Sequence, residues 1–245
     1  MLRAIGSRLA AALLLWTVPA VAQVPVDTAL VLVVDSSGSI DADEFRLQKE
    51  GIAQAVTSPR VLQAVAGGSF GKLALAYVEW GSPARPETVV GWTIVDDRRS
   101  AEAFAAAVVA APRSPQSYNA IGDAIDHAAL LLQRCPCEAM RKVIDISGDN
   151  ADMRSLNPAP AARDAAVALG ITVNALAVLE NDRTGPSGRP WLVEYYERDV
   201  IGGAGAFVMA ARDRADFTRA LLDKMVLEVA GTQPPGVSIA TAPGP

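Results

Sequence analysis

The chain of 245 residues carries one histidine, His127, and two cysteines, Cys135 and Cys137. A single imidazole with no second histidine, and no nucleophile in a suggestive setting beside it, is poorly suited to serine-hydrolase chemistry and reads as a structural residue, here inside a helix with Asp123 and Asp126 nearby. Basic charge is not in excess, with 22 Lys and Arg against 27 Asp and Glu and a net charge of −5, which argues against nucleic acid as the partner. Beyond the first two dozen residues no apolar run is long enough to span a bilayer, and no internal repeat is present.

The N-terminus is different in kind. Arg3 and Arg8 precede an apolar run over residues 9–18, and Ala20-Val21-Ala22 supplies an A-x-A cleavage signal before Gln23. This pattern reads as a secretory signal peptide over residues 1–22, because the apolar run is about half the ~20 residues a spanning helix needs. Removing it takes away two arginines and no acid, moving the formal charge from −5 to −7. No cysteine follows the cleavage site, so a lipid anchor is not expected. The mature chain is therefore expected to be periplasmic or secreted, with no membrane insertion. Residues 24–231 are expected to form one domain, and residues 232–245, rich in proline, to be disordered. Half of the sequence is apolar, 51%, which gives such a domain an ample core.

The rest of the chain is organised around Ala29-Leu30-Val31-Leu32-Val33-Val34-Asp35-Ser36-Ser37-Gly38-Ser39. A continuous Val-rich run ending in a polar turn reads as a buried parallel strand. Asp35, Ser37 and Ser39 are spaced two apart, so the loop leaving the strand can aim one carboxylate and two hydroxyls at a common point. Hard cations such as Mg²⁺ take oxygen ligands of this kind.

Further along, Asp41 with Glu44 predicts a capping box opening a helix over 42–56. Strands are predicted at 72–80 and 87–94, and the short Gly81-Ser82-Pro83 connection forces that pair to be antiparallel. Trp80 and Trp92 are expected to pack on this hairpin. A helix over 100–110 follows, then a loop, then a helix from Asn119 to about residue 133. Asn119 reads equally as its N-cap or as an amide oxygen facing a metal. Cys135-Pro136-Cys137 precedes the next strand, at the edge of the sheet opposite Asp35, and reads as a disulfide staple or a soft-metal site. The strand over 141–147 ends in Gly148-Asp149-Asn150, delivering a second carboxylate at a strand's C-terminal end. Asp145 lies about 13 Å upstream along an extended strand, too far to share a metal with Asp149, and needs a partner of its own. Residues 159–169 read as a helix, 171–179 as a strand, 181–190 as a polar loop, 191–200 as a helix, 206–210 as a last strand and 213–229 as a final helix.

This order predicts an α/β fold: a doubly wound, mostly parallel six-stranded sheet in the order 3-2-1-4-5-6, with one antiparallel edge strand and helices on both faces. Strands 1 and 4 meet where the winding reverses, and ligands bind such sheets outside the carboxyl ends of the strands at that point. Asp35, Ser37, Ser39 and Asp149 are expected to converge there, with the Asn119 loop as a third contributor.

The D-x-S-x-S pattern resembles the first segment of the metal-ion-dependent adhesion site of von Willebrand factor A domains, and the expected fold is theirs. A closer resemblance is to the secreted bacterial domain-of-unknown-function family 1194. It rests on Val34-Asp35-Ser36-Ser37-Gly38-Ser39-Ile40, Val78-Glu79-Trp80, Ala120-Ile121-Gly122-Asp123-Ala124-Ile125, Val143-Ile144-Asp145-Ile146-Ser147-Gly148-Asp149 and Val200-Ile201-Gly202-Gly203. The resemblance implies a metal set of Asp35, Ser37, Ser39, Asn119 and Asp149 for Mg²⁺, or for Mn²⁺ or Ca²⁺. Asn119 stands where the adhesion site usually has threonine, and Asn150 where a glycine commonly follows the Asp. The implied function is a non-enzymatic binding module that meets an exposed acidic residue of a protein or peptide through the ion. Arg183, Arg189 and Trp191 would contribute specificity. The competing readings are a metal-independent scaffold with a degenerate site, a metal-assisted phosphoesterase, and an aspartic protease, for which no second Asp-Thr-Gly or Asp-Ser-Gly exists.

Overall fold

The computed structural model describes residues 23–180 and 182–232. The predicted signal peptide and all but the first residue of the predicted tail lie outside them. Six strands, β1 (Val24–Asp35), β2 (Leu73–Trp80), β3 (Glu87–Val95), β4 (Cys137–Gly148), β5 (Ile171–Val178) and β6 (Val208–Ala211), form one sheet in the order β3-β2-β1-β4-β5-β6. Every neighbouring pair is parallel except β2 with β3. The predicted topology holds, and β1 and β4 lie side by side.

The helices are α1 (Ala42–Val56), α2 (Pro59–Ala66), α3 (Arg98–Ala110), α4 (Ile121–Gln133), α5 (Ala159–Ala168), α6 (Trp191–Asp199) and α7 (Phe217–Ala230). Alternation along β1 divides the core into two layers. Val26, Ala29, Val31 and Val33 pack with residues of α4, α5 and α6, whereas Leu30, Leu32 and Val34 pack with residues of α1, α2, α3 and α7. Both faces are thus covered, which is why β1 reads as an unbroken apolar run.

Local signals act as expected at α1, where Asp41 accepts from the Glu44 amide at 2.8 Å and Glu44 accepts from the Asp41 amide at 2.9 Å. The sequence reading missed α2, whose eight residues are opened by Ser58 and Pro59 directly after α1 and are too short to show a period. Trp80 is a core aromatic of the hairpin. It is fully buried in the layer under α4 to α6, its indole N–H donating to the Val33 carbonyl at 3.2 Å.

Two polar clusters join β4 to α7, one at Arg141, opposite Thr28 toward the pole where β1 begins, and one at Asp145, opposite Leu32 further along the sheet. Arg141 on β4 donates to Thr28 Oγ1 on β1 at 2.6 Å and to the Glu228 and Val229 carbonyls of α7 at 2.8 and 2.7 Å. Asp145 finds the partner its burial demands in Lys224 of α7, Nζ to Oδ1 2.6 Å, and the same ammonium contacts Glu228. Asn174 of β5 completes the group, donating to Glu228 at 2.8 Å.

Candidate functional site

The site is built at the opposite pole, where β1 and β4 run out. Asp35 is the last residue of β1, and Ser36 continues the ladder by donating its N–H to the Trp80 carbonyl at 2.9 Å. The chain then turns back on itself: the Ser37 amide donates to Asp35 Oδ1 at 2.7 Å, and the Ser37 and Ser39 hydroxyls lie 3.0 Å apart. Ser39 Oγ donates to Asp149 Oδ2 at 3.3 Å, which closes a chain of contacts from the end of β1 to the end of β4. Four of the five predicted metal ligands are therefore in one hydrogen-bonded network.

The fifth, Asn119, lies in a loop packed against the first. A Cβ at Gly81 would stand 3.0 Å from the Tyr118 carbonyl and 3.2 Å from Ser37 Cα, so only glycine lets these two loops approach. Asn119 is not the N-cap of α4. That position is Ala120, with no side-chain cap, and the first turn is capped from outside by Asp152, which accepts from the Ile121 and Gly122 amides at 2.9 and 3.3 Å. The Asn119 amide oxygen is instead buried and has no hydrogen-bond partner among the described residues, and the residue is only 7% exposed. A buried carbonyl left unpaired is costly, so its position calls for a ligand.

Several residues that shape the site were not assigned to it from sequence. Gln48 of α1 donates to the Asp35 carbonyl at 2.8 Å, and Arg113 holds the Ser36 and Ser37 carbonyls at 2.9 and 2.8 Å. Glu79, fully buried, accepts from the Tyr77 hydroxyl at 3.1 Å and from the Ser114 amide at 2.7 Å, anchoring the loop that carries Arg113. A glutamate in an otherwise apolar strand was the one available signal. Tyr196 of α6 donates to the Asn150 carbonyl at 3.0 Å, and burial, then the charges of Asp35 and Asp149, push its hydroxyl pKa well up. Burial is the larger cause, and the two carboxylates add to it.

The donor set consists of carboxylate, hydroxyl and amide oxygens, the chemistry of a hard divalent cation rather than of a soft one. Among the described residues no group of three or more His, Cys, Asp or Glu is placed to hold a metal. This agrees with a set that has only two carboxylates.

Beside Asp149 a recess of about 350 Å³ is lined by Asn150, Glu180, Asp182, Arg183, Trp191 and Leu192. Arg183 stacks over the Trp191 ring at 3.9 Å, so these two predicted specificity residues stand together at the site's edge. Arg189 does not join them, because its guanidinium is bound to both carboxylate oxygens of Glu197 at 2.8 and 2.6 Å. His127 contacts Thr88 Oγ1 at 2.8 Å, away from these loops, and burial lowers its pKa. Cys135 and Cys137 are disulfide-bonded to one another at the far pole.

A parallel sheet in this order, with an Asp-x-Ser-x-Ser turn meeting a second Asp across β1 and β4, defines a von Willebrand factor A fold. The chain belongs to the family described as protein of unknown function DUF1194, whose sequence model matches residues 25–233. No curated protein matches it. Among solved structures it is similar to proximal thread matrix protein 1 from the mussel byssus with a zinc-occupied MIDAS motif, at 17% identity and a TM-score of 0.59, covering 84% of this chain and 46% of that one. It is similar also to the pilus adhesin SpaC of Lactobacillus rhamnosus GG, at 14% identity and TM-score 0.58, covering 84% and 31%. A third is a von Willebrand factor type A protein of Catenulispora acidiphila, at 16% identity and TM-score 0.55, covering 83% and 43%. The chain thus spans less than half the length of each of these three structures, and at these identities the likeness is one of fold. Among the described residues no helix is long and apolar enough to cross a membrane.

Proposed function

We propose that this protein is an exported binding module that holds a divalent cation, Mg²⁺ in the first instance, on Asp35, Ser37, Ser39, Asn119 and Asp149. The observation that carries the reading is the buried, unpartnered Asn119 oxygen in the loop packed on the Asp35–Ser37–Ser39–Asp149 network. When bound, the ion supplies a coordination position for an acidic group of a protein or peptide. The chain's own residues do the rest: Gln48 and Arg113 fix the carbonyls of the turn so that both serine hydroxyls stay on one side, and the ring of Tyr196 closes the back of the site. Arg183 and Trp191 border the approach. Export follows from the leader-like residues 1–22. The serine hydroxyls and the carboxylates are read here as ligands of the ion, so the reading is binding rather than turnover.

The test is calorimetric titration of Mg²⁺ and Mn²⁺ into metal-stripped protein. Saturable binding is expected for the wild type and a loss of at least about a hundredfold for Asp35→Ala and for Asp149→Ala, each removing a charged ligand. Equal heats in wild type and both variants would replace this reading with a metal-independent scaffold.

A further inference from the structure

Of the large apolar side chains exposed among the described residues, Leu47, Phe70, Val109, Leu130, Met140 and Leu169 are scattered over six separate stretches of chain. Scattered residues of this kind need no explanation. Three others are not scattered. Tyr118, Met153 and Leu156 are 45%, 47% and 76% exposed and come from two loops joined at Asn119, where Met153 pairs with Asn119 in an antiparallel bridge and donates its amide to the Asn119 carbonyl at 2.6 Å.

The loops are held firmly in this arrangement. Leu156 N–H donates to Asp123 at 2.9 Å, and Arg154 places its guanidinium 4.7 Å from the centre of the Tyr118 ring. Arg154 adopts a φ of 66°, a left-handed conformation that a long side chain rarely takes. Burial cannot account for this strain, since the residue is exposed, and its effect is to hold a cation and an aromatic face outward together. Met153 follows Asp149 by four residues, so their Cα atoms lie within about 14 Å of one another.

We infer that Tyr118, Met153 and Leu156 form an apolar shelf that receives a large hydrophobic side chain of the partner, next to the acidic residue that reaches the cation. The occupant is an extended peptide segment carrying an Asp or Glu with a Leu, Ile, Met, Phe, Tyr or Trp within about four residues of it, the spacing set by the reach of an extended chain. Arg154 adds charge complementarity for an acidic segment, and the shelf is continuous with the metal site through the Asn119 to Met153 bridge. This inference rests on the metal-site reading proposed above and adds to it the second half of the recognised motif.

The experiment selects a random peptide library displayed on phage against the full chain in Mg²⁺, with elution by chelator, and measures the recovered peptides by fluorescence anisotropy. Chelator-eluted peptides are expected to combine an acidic residue with a large apolar residue at the stated spacing. They are expected to bind the Met153→Ser/Leu156→Ser variant at least about tenfold more weakly, with Mg²⁺ affinity unchanged in calorimetry. Both side chains are exposed, so the variant folds, and Met140→Ser, which removes a 66% exposed methionine at the far pole, is the control expected to bind normally. The inference is overturned if acidic peptides emerge with no apolar preference, if the double variant binds them as wild type does, or if Mg²⁺ binds and no chelator-sensitive peptide is recovered. Loss of Mg²⁺ binding itself would instead remove the metal-site reading, and this inference with it.

Discussion

Replacing Glu228 by glutamine is expected to make the protein markedly more stable in alkaline solution and to leave it unchanged in acid. The carboxyl is buried beneath the sheet, accepting from Lys224 Nζ and from Asn174, with Asp145 on β4 and Arg141 the other charged groups acting on it. Burial, and then the charge of Asp145, push its pKa from 4.5 up to about 8, while Lys224 pulls the other way. Between those values the folded protein keeps a proton that the unfolded chain releases. The resulting stability is complete below pH 4.5, declines as pH rises, and is gone above about 8. At about 1.4 kcal/mol per unit the full span is worth about 5 kcal/mol, and relaxation of the buried site reduces it to an expected 2 kcal/mol or so. Glutamine keeps the neutral acceptor that Lys224 and Asn174 use and cannot ionise. Urea unfolding of both proteins at steps across the window should give curves that converge in acid and separate in base, glutamine the more stable. Parallel curves would refute the reasoning, because the two proteins differ only in whether residue 228 can ionise.

Gly122→Ala places a Cβ 1.8 Å from the Asn157 carbonyl, a backbone atom that cannot step aside, and should cost about 2 kcal/mol even after the gain in helix propensity, read as a lower urea midpoint. Asp152→Ala removes the acceptor shared by the Ile121, Gly122 and Ala159 amides, opening the starts of both α4 and α5, and should lower stability by about 2–3 kcal/mol. Joint replacement of Cys135 and Cys137 by serine opens a three-residue loop and should cost about 1.6 kcal/mol in thermal unfolding. It should leave Mg²⁺ titration unaltered, because the bridge lies at the pole away from Asp35.

What could be read from the sequence was what local chemistry decides. The strand ending in Asp35, the capping box of α1, the antiparallel β2 and β3 pair and the sheet order all follow from runs, caps and connection lengths within a few residues of one another. What escaped was set by partners far along the chain. Asn119 sits where an N-cap is expected, yet α4 is capped by Asp152, and no pattern of spacing announces such a substitution. Asp145 called for a partner, and Lys224, 79 positions later on the opposite layer, could not be named until α7 was seen to cross beneath β4 and β5. Arg113, whose donors span 76 and 77 positions, is invisible for the same reason. Arg189 pairs with Glu197, eight positions on, a contact the loop's composition did not announce.

The Arg141 clasp has a mechanical meaning. By tying β1 at Thr28 to the last carbonyls of α7, it joins the first strand to the last helix seven residues before the Asp35 turn. A pull on the two ends is therefore expected to load the Thr28–Arg141–α7 bonds before it reaches the Asp35 turn. The first strand and the last helix are thus latched together as a clasp latches a bracelet, leaving the loops at the far ends of β1 and β4 clear of the fastening.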